Sequence, residues 1–283
     1  MNNKIYIVIV LYQTELKDSV AFNSLSINIQ ALTIPYELLI FNNSPEIRIP
    51  YDKAYSVVST TNIGLAYAYN YALDIASRSH CTWLLLLDQD TKLTMHYFEA
   101  INAFAGTQPH NIHYAAAVPI LTSGHHYVSP EAFHIAIGPF WKNKAIHNNQ
   151  QLQQYNNRHY CITALNSGTI LNIKLLQELG GFPLEFPLDG LDHAYFYMLH
   201  QKHMTIHLLP TKLQHNLSLL ERKLPNIERY ASYLHANYLL AKRMHPCAFV
   251  SYKCRVCILL LKTLIYGTLK HTRLTLNYLI TKW

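Results

Sequence analysis

The stretch Cys81 to Thr91, C-T-W-L-L-L-L-D-Q-D-T, constrains the fold of this chain most. Its apolar core, Trp83 to Leu87, runs without interruption into Asp88-Gln89-Asp90. A continuous apolar run of that length, stopped by polar residues, suits a strand buried on both faces of a sheet. Such a strand is a central strand, and in open α/β sheets ligands bind just beyond the carboxyl ends of the strands. Asp88 and Asp90 stand at that point. Alternate residues of an extended chain point the same way, so a turn brings both carboxylates to one cation. Hard divalent cations take oxygen ligands, often one or two carboxylates together with substrate phosphates. A solvated strand end leading into a helix cap reads the same letters, so this stretch alone leaves both readings open.

The surrounding chain alternates strand and helix. Ile5 to Tyr12 is a β-branched run and a predicted first strand, and Ser19 to Leu32 has helical apolar spacing. Tyr36 to Phe41 is a second strand, ending in the turn chemistry of Asn42-Asn43-Ser44-Pro45. Ser56 to Ser59 is a short strand that leads through Thr61-Asn62-Ile63-Gly64 into a helix reaching Ala76. Residues 94 to 105 read as a helix and Tyr114 to Ile120 as a strand. Ser123 to Tyr160 is polar, rich in His and Asn, and reads as a long loop or insertion, of a kind that more often carries function than packing. Ile162 to Leu171 is a strand interrupted at Asn166-Ser167-Gly168. Helices are predicted over Ile173 to Leu179 and Leu191 to Lys202, and a strand over Thr205 to Leu209, with Gln214-His215-Asn216 after it. This rhythm predicts βαβ units and a mainly parallel sheet.

Half of the 283 residues are hydrophobic and 14% are charged, enough for one large α/β domain plus an appendage. Lys4 is followed by a strand-like run, not a secretory h-region, and no run of 18 apolar residues predicts a membrane span. Five cysteines without framework spacing suit reduced cytosolic thiols. His245, Cys247, Cys254 and Cys257 form a loose ligand spacing in which only C-x-x-C is usual for zinc, so buried thiols are the expectation.

Charge divides the chain. All 16 acidic residues lie at or before Glu228, where 14 basic residues leave a net of −2. The 55 residues from Arg229 carry nine Lys/Arg and no acid, a net of +9. A polyanionic partner follows: nucleic acid or an anionic membrane surface. The tail reads as a helix over Tyr230 to Lys242 and a second over Phe249 to Thr281, broken at Gly267. At about 100° per residue, Arg255, Lys262 and Arg273 share a face with Lys270 beside it, and Ile258 to Leu261, Leu264 and Ile265 fill most of the rest. That pattern suits an interfacial basic helix, or a helix packed on the domain with a solvated basic face. Basic residues interleaved with Leu and Ile, without a nucleic-acid motif, argue against nucleic acid.

Five segments stand in order: V-L-Y-Q-T near the start, N-N-S at 42 to 44, N-I-G-L-A-Y-A-Y-N at 62 to 70, L-L-D-Q-D-T at 86 to 91 and L-N-S-G-T-I-L at 165 to 171. In order and spacing they together resemble glycosyltransferase family 2 and, within it, the bacterial dTDP-rhamnosyltransferases of O-antigen and related polysaccharide synthesis. A weaker sixth is G-G-F-P-L-E-F-P-L-D-G-L-D at 180 to 192, followed by a strand and His215. The likeness spans roughly residues 4 to 220. Two departures stand out. Asn42 replaces the family's usual Asp, and Ala194 followed by Y-F-Y-M replaces an acidic residue followed by W-C-L-R.

The resemblance implies a GT-A fold over residues 1 to 225, mainly parallel with flanking helices; the charge and helical pattern of the tail imply a basic, membrane-associating helical extension over 226 to 283. The resemblance also implies an inverting, metal-dependent transfer of a sugar, L-rhamnose from dTDP-L-rhamnose by preference, to a lipid-linked (polyprenyl diphosphate) saccharide acceptor. The setting implied is cytoplasmic, attached peripherally to the inner face of the bacterial membrane. Tyr12, Asn42, Asn62, Gly64, Asp88, Gln89, Asp90, Ser167 and Gly168 are then the expected nucleotide-sugar residues. Asp88, Asp90 and His215 are the expected ligands of Mg²⁺ or Mn²⁺. Asp192 is the expected general base, with Asp189 as competitor. Plainer readings remain beside these: a helix cap for Asn62, a helix-start carboxylate for Asp192 and a turn residue for Asp189. Other whole-chain alternatives are a family 2 transferase using another nucleotide sugar and a catalytically weak membrane-bound assembly subunit. A nucleotidyltransferase should carry a Gly-rich phosphate loop after the first strand, and Tyr12-Gln13-Thr14 is not one.

Overall fold

The computed structural model describes residues 3–106, 113–215 and 224–280. The first half alternates as the sequence predicts: β1 (Ile5–Leu11), α1 (Val20–Asn28), β2 (Tyr36–Asn42), β3 (Ser56–Ser59), α2 (Leu65–Arg78) and β4 (Trp83–Asp88). A two-residue strand β5 (Thr91–Lys92) and α3 (Met95–Gly106) follow. Next come β6 (Tyr114–Ser123), β7 (His126–Ser129), β8 (Glu131–His134), β9 (Lys144–Ala145), α4 (Asn149–Tyr155), β10 (Tyr160–Thr163) and β11 (Thr169–Asn172). The chain continues through α5 (Ile173–Glu178), α6 (Leu191–Gln201), β12 (Thr205–His215), α7 (Ile227–Arg243), α8 (Pro246–Tyr266) and α9 (Leu269–Ile280).

Nine strands form one sheet in the order β3-β2-β1-β4-β11-β6-β12-β5, with β7 on β6. The β3-β2-β1-β4 side is parallel throughout. Strand β11 then enters antiparallel between β4 and β6, while β12 lies parallel to β6. The period-2 alternation of β1 and β4 divides the core between two faces. Tyr6, Val8, Val10, Leu84 and Leu86 pack with α2, α6 and the C-terminal helices. Ile5, Ile7, Ile9, Trp83, Leu85 and Leu87 pack with α1 and α3. Burial on both sides is why these strands read as unbroken apolar runs.

Several expectations need correction. Of the two readings of residues 123 to 160, loop or insertion, the loop is the one that fails: β8, β9 and β10 form a second, three-stranded sheet. Its strands are two to four residues long, too short for a periodic signal, and their pairing is set by contacts distant in sequence. The strand begun at Thr205 does not stop at Leu209. It crosses Pro210 at a register shift between Leu208 and Lys212 and continues to His215. A bulge admits proline without a lost ladder bond, which is why the letters read as an end. Finally, the basic residues of the tail do not share one helix face. Gly267 ends α8, the chain turns back, and α8 and α9 pack together. Arg255 lies over the Trp141 ring, its guanidinium carbon 6.0 Å from the centroid, while Lys262, Lys270 and Arg273 are exposed.

Helix α7 is continuous with the main core through Tyr230, Leu234, Ala236 and Leu240, and α8 joins through Tyr252 and Val256. Among the described residues, no helix is long and apolar enough to cross a membrane. Cys81 and Cys161 are buried, whereas Cys247, Cys254 and Cys257 are exposed, against the expectation of buried thiols, because they lie on the outward side of α8.

Candidate active site

At the end of β4 the backbone is fixed before the chemistry begins. The Asp88 N–H donates to Ser167 Oγ at 2.9 Å, and the buried Tyr69 hydroxyl of α2 donates to Asp88 Oδ1 at 3.1 Å. The chain turns at Gln89-Asp90 and re-enters the sheet as β5, antiparallel to the end of β12 with Thr91 opposite His215. Thr91 Oγ1 bonds Ser167 Oγ and lies 2.8 Å from His215 Nδ1. Thr91 and Ser167 are fully buried and His215 nearly so. This buried chain of hydroxyls ties three strands together and aims the imidazole at the turn. His215 Nδ1 comes within 3.4 Å of Asp90 Oδ1. Asp88, Asp90 and His215 each present a ligand atom within 4.8 Å of the others.

The electrostatics of this cluster fit a cation. Burial raises the Asp88 carboxyl to about 6, Asp90 and Asp192 add repulsion, and His215 and the Tyr69 hydrogen bond oppose the shift. Among the described residues no Lys or Arg forms an ion pair with Asp88 or Asp90; the imidazole beside them is that of His215. Two carboxylates and an imidazole with negative charge left unneutralised form a suitable donor set for Mg²⁺ or Mn²⁺.

The expected nucleotide-sugar residues separate into open and buried groups. Tyr12 is exposed, and its N–H donates to Gln89 Oε1 at 2.8 Å, joining the end of β1 to the Asp-Gln-Asp turn. Asn62 is exposed and accepts the Gly64 N–H at 3.2 Å. Gly64 has φ +91°, and a Cβ there would lie 2.6 Å from the Pro187 carbonyl oxygen. The same oxygen accepts the Leu65 N–H at 2.6 Å, so the start of α2 is seated on the 187 to 190 loop. Asn42 is fully buried. Its amide donates to the Ile47 carbonyl at 2.8 Å and accepts the Ser44 N–H at 3.0 Å, shaping the turn after β2. Ser167 and Gly168 are likewise interior. Gly168 has φ +78°, donates to the Leu86 carbonyl and accepts from the Tyr97 hydroxyl, and a Cβ would press on Pro119 and Leu213.

A cleft of about 260 Å³ opens beside the cluster, lined by Asp88, Asp189, Asp192, His193, His215 and, from α7, Arg229, Tyr233 and Asn237. Roomier hollows of about 560 and 810 Å³ lie elsewhere, but the carboxylates converge on this one. Asp192 sits in the first turn of α6, half-buried, and accepts the His193 N–H on Oδ1 at 2.8 Å. Asp189 is committed elsewhere. Its carboxylate is nearly buried and meets the Arg229 guanidinium at 2.9 Å; burial raises its pKa against the pull of Ser232 and Arg229. Ala194 is buried, so α6 turns that position to the core and not to the cleft.

Sequence reasoning missed Tyr69, Thr91, His193 and the α7 residues Arg229, Tyr233 and Asn237. Tyr69 and Thr91 lay inside quoted motifs but carried no chemical signal of their own. The α7 residues lie beyond the span of the resemblance and reach the cleft only by packing.

No protein-family model and no curated protein matches the chain. Among solved structures, it is similar to the mannosyltransferase PcManGT from Pyrobaculum calidifontis, a structure in complex with GDP-mannose and Mn²⁺. The TM-score is 0.53 at 13% identity, over 96% of this chain and 78% of that one. Together with the curled central sheet, its flanking helices and the helical extension, this likeness gives the chain a GT-A-like glycosyltransferase fold.

Proposed function

We propose that the chain transfers a sugar from a nucleotide-sugar donor to an acceptor hydroxyl, with inversion and with the help of a divalent cation. The observation that carries this reading is the convergence of Asp88, Asp90 and His215 at the carboxyl end of the central strand, where Asp88 and His215 line one cleft with Asp192. The fold likeness to a glycosyltransferase supports it. When bound by Asp88, Asp90 and His215, the cation neutralises charge on the departing diphosphate. The protein's own residues do the rest. Tyr12 and Gln89 hold the rim of the turn, and Asn62 and Gly64 set the start of α2 where backbone can approach a nucleotide. Asp192 takes the acceptor proton: the His193 N–H holds one oxygen, leaving the other for the attacking hydroxyl. Arg229 keeps Asp189 engaged and leaves Asp192 to act as the base.

The finer reading is that the donor is dTDP-L-rhamnose and the acceptor a lipid-linked saccharide of cell-surface polysaccharide synthesis. The L-D-Q-D-T motif and its companions support it. The basic extension supports work at the cytoplasmic face of an anionic membrane. Donor hydrolysis and transfer measured across dTDP-, GDP- and UDP-sugars, with Mg²⁺, Mn²⁺ or chelator, test both levels. Metal-dependent turnover of dTDP-rhamnose alone is the expected outcome. Turnover of a different donor overturns the sugar assignment, and no turnover of any donor overturns the transferase reading.

A further inference from the structure

The outward side of the C-terminal hairpin is apolar where a solvated helix should be polar. Leu264, Ile265, Tyr266 and Leu269, around the α8–α9 turn, are 64, 70, 77 and 84% exposed. The apolar character continues up α8. Cys247, Val250, Cys254, Cys257, Leu261 and Leu264 recur at three- and four-residue steps, and every one is exposed. That is one helix stripe with no cover from the described residues. The hairpin carrying it is braced. Tyr252 and Val256 are buried against the core, and Tyr230 of α7 bonds Thr275 at 2.8 Å. Lys253 donates to the Tyr278 and Leu279 carbonyls at 3.0 and 2.9 Å, holding the last turn of α9.

Charge identifies the cover. Lys262, Lys270 and Arg273 are exposed around the apolar turn, and no acidic residue occurs after Glu228. A second copy of this surface would set like charges face to face, with no carboxylate in either hairpin to relieve them. Its thiol-rich stripe is also poorer knob material than the branched residues of a coiled-coil seam. An anionic bilayer offers both an apolar interior for the leucines and phosphate for the cations.

We infer that the α8–α9 hairpin is a docking surface for an anionic lipid bilayer, its turn entering the surface at Leu264, Ile265, Tyr266 and Leu269. Lys262, Lys270 and Arg273 meet the head groups. This deepens the membrane reading above and rests on it. The same helix holds the segment next to the cleft wall. Trp141 Nε1 donates to Ser251 Oγ at 2.6 Å, Phe140 packs edge-on against Tyr252, and Pro139, between the strand-borne site and α8, lines the cleft. Docking through α8 therefore fixes the cleft's place relative to the surface, which suits an acceptor carried on lipid.

The test is flotation of the full chain with phosphatidylglycerol–phosphatidylethanolamine vesicles and with phosphatidylcholine vesicles. The expected result is binding to the first, at least about tenfold weaker to the second, and about tenfold or greater loss with Lys262→Glu/Lys270→Glu/Arg273→Glu. Leu264→Glu/Ile265→Glu should abolish it. A second readout needs no variant: Cys254 and Cys257 should become protected from an impermeant maleimide when anionic vesicles are added. Equal flotation with both vesicles or with neither, unprotected thiols, or thiols protected by self-association without lipid would overturn the inference. Undiminished flotation of the Leu264/Ile265 variant would overturn the hairpin while leaving the membrane reading intact. Donor hydrolysis in solution separates both from the transferase reading. Hairpin variants should hydrolyse donor at the wild-type rate, so flotation can fail while hydrolysis stands, or the reverse.

Discussion

Each acidic residue near the cleft has a distinct environment, and environment decides its role. Asp192 is half-buried, faces the cleft and has no basic partner among the described residues, whereas Asp189 is bound to Arg229. A positioned general base typically contributes about 10² to 10⁴ in rate. Asp192→Asn should therefore lower kcat by that order with donor affinity near wild type. Asp189→Asn should act mainly on stability, because it leaves the Arg229 guanidinium without its carboxylate. Steady-state kinetics with donor titration and a thermal melt separate the two; normal turnover by Asp192→Asn would falsify the assignment. Asp88 carries a pH signature. Its carboxyl is raised by burial to about 6, above an unfolded value of about 3.9, so the folded state holds the extra proton. Metal-free stability from this group is greatest below about pH 4 and is lost as pH rises through 6. Metal binding runs the other way, falling about tenfold per pH unit below 6 as protons compete for the ligand. Asp88→Asn should stabilise the metal-free protein at pH 7 and abolish the metal-induced rise in Tm. Melting curves at pH 5, 6 and 7 with and without Mn²⁺ check this.

At the scale of elements, the cleft depends on where α2 and β12 are seated. Gly64 lets α2 start against the Pro187 carbonyl with no room for a side chain. Gly64→Ala must adopt a positive φ and clear a backbone oxygen, so a loss of about 1–3 kcal/mol is expected, with weaker donor affinity as the 187 to 190 loop shifts. Denaturant unfolding and donor titration measure both; an unchanged variant would show that this seat is loose. The Thr205–His215 strand shows why the mount of an expected ligand can be hidden. Pro210 marks an end in sequence, yet a bulge carries the strand five residues further and places His215 opposite Thr91. The short strands β8, β9 and β10 were hidden for a related reason: strands of two to four residues are made by their partners.

For the whole molecule, the extension from residue 226 is part of the same core. Ala248, Tyr252, Val256 and Leu259 of α8 are buried, and α7 lines the cleft. Burying large apolar side chains contributes roughly 1.5–3 kcal/mol each. A chain truncated after Lys242 should therefore melt far below the intact protein or aggregate, and should not yield an independent catalytic domain. An unchanged Tm for the truncated chain would show the hairpin to be a separable unit.

What the sequence by itself determined is local: a central strand stopped by two carboxylates, the βαβ rhythm of the first hundred residues, the break at Gly267 and the one-sided charge. These follow from side-chain period, turn chemistry and composition, which need no partner to be read. The tertiary structure alone decided how His215 is carried to the aspartates and that Ser167 and Asn42 hold the framework from inside. It also paired Asp189 with Arg229, and it left one stripe of α8 without cover from the described residues. Each of those is a meeting of residues far apart in the chain. The free energy that fixes it comes from strand register and packing, and neither is written in any single stretch of letters.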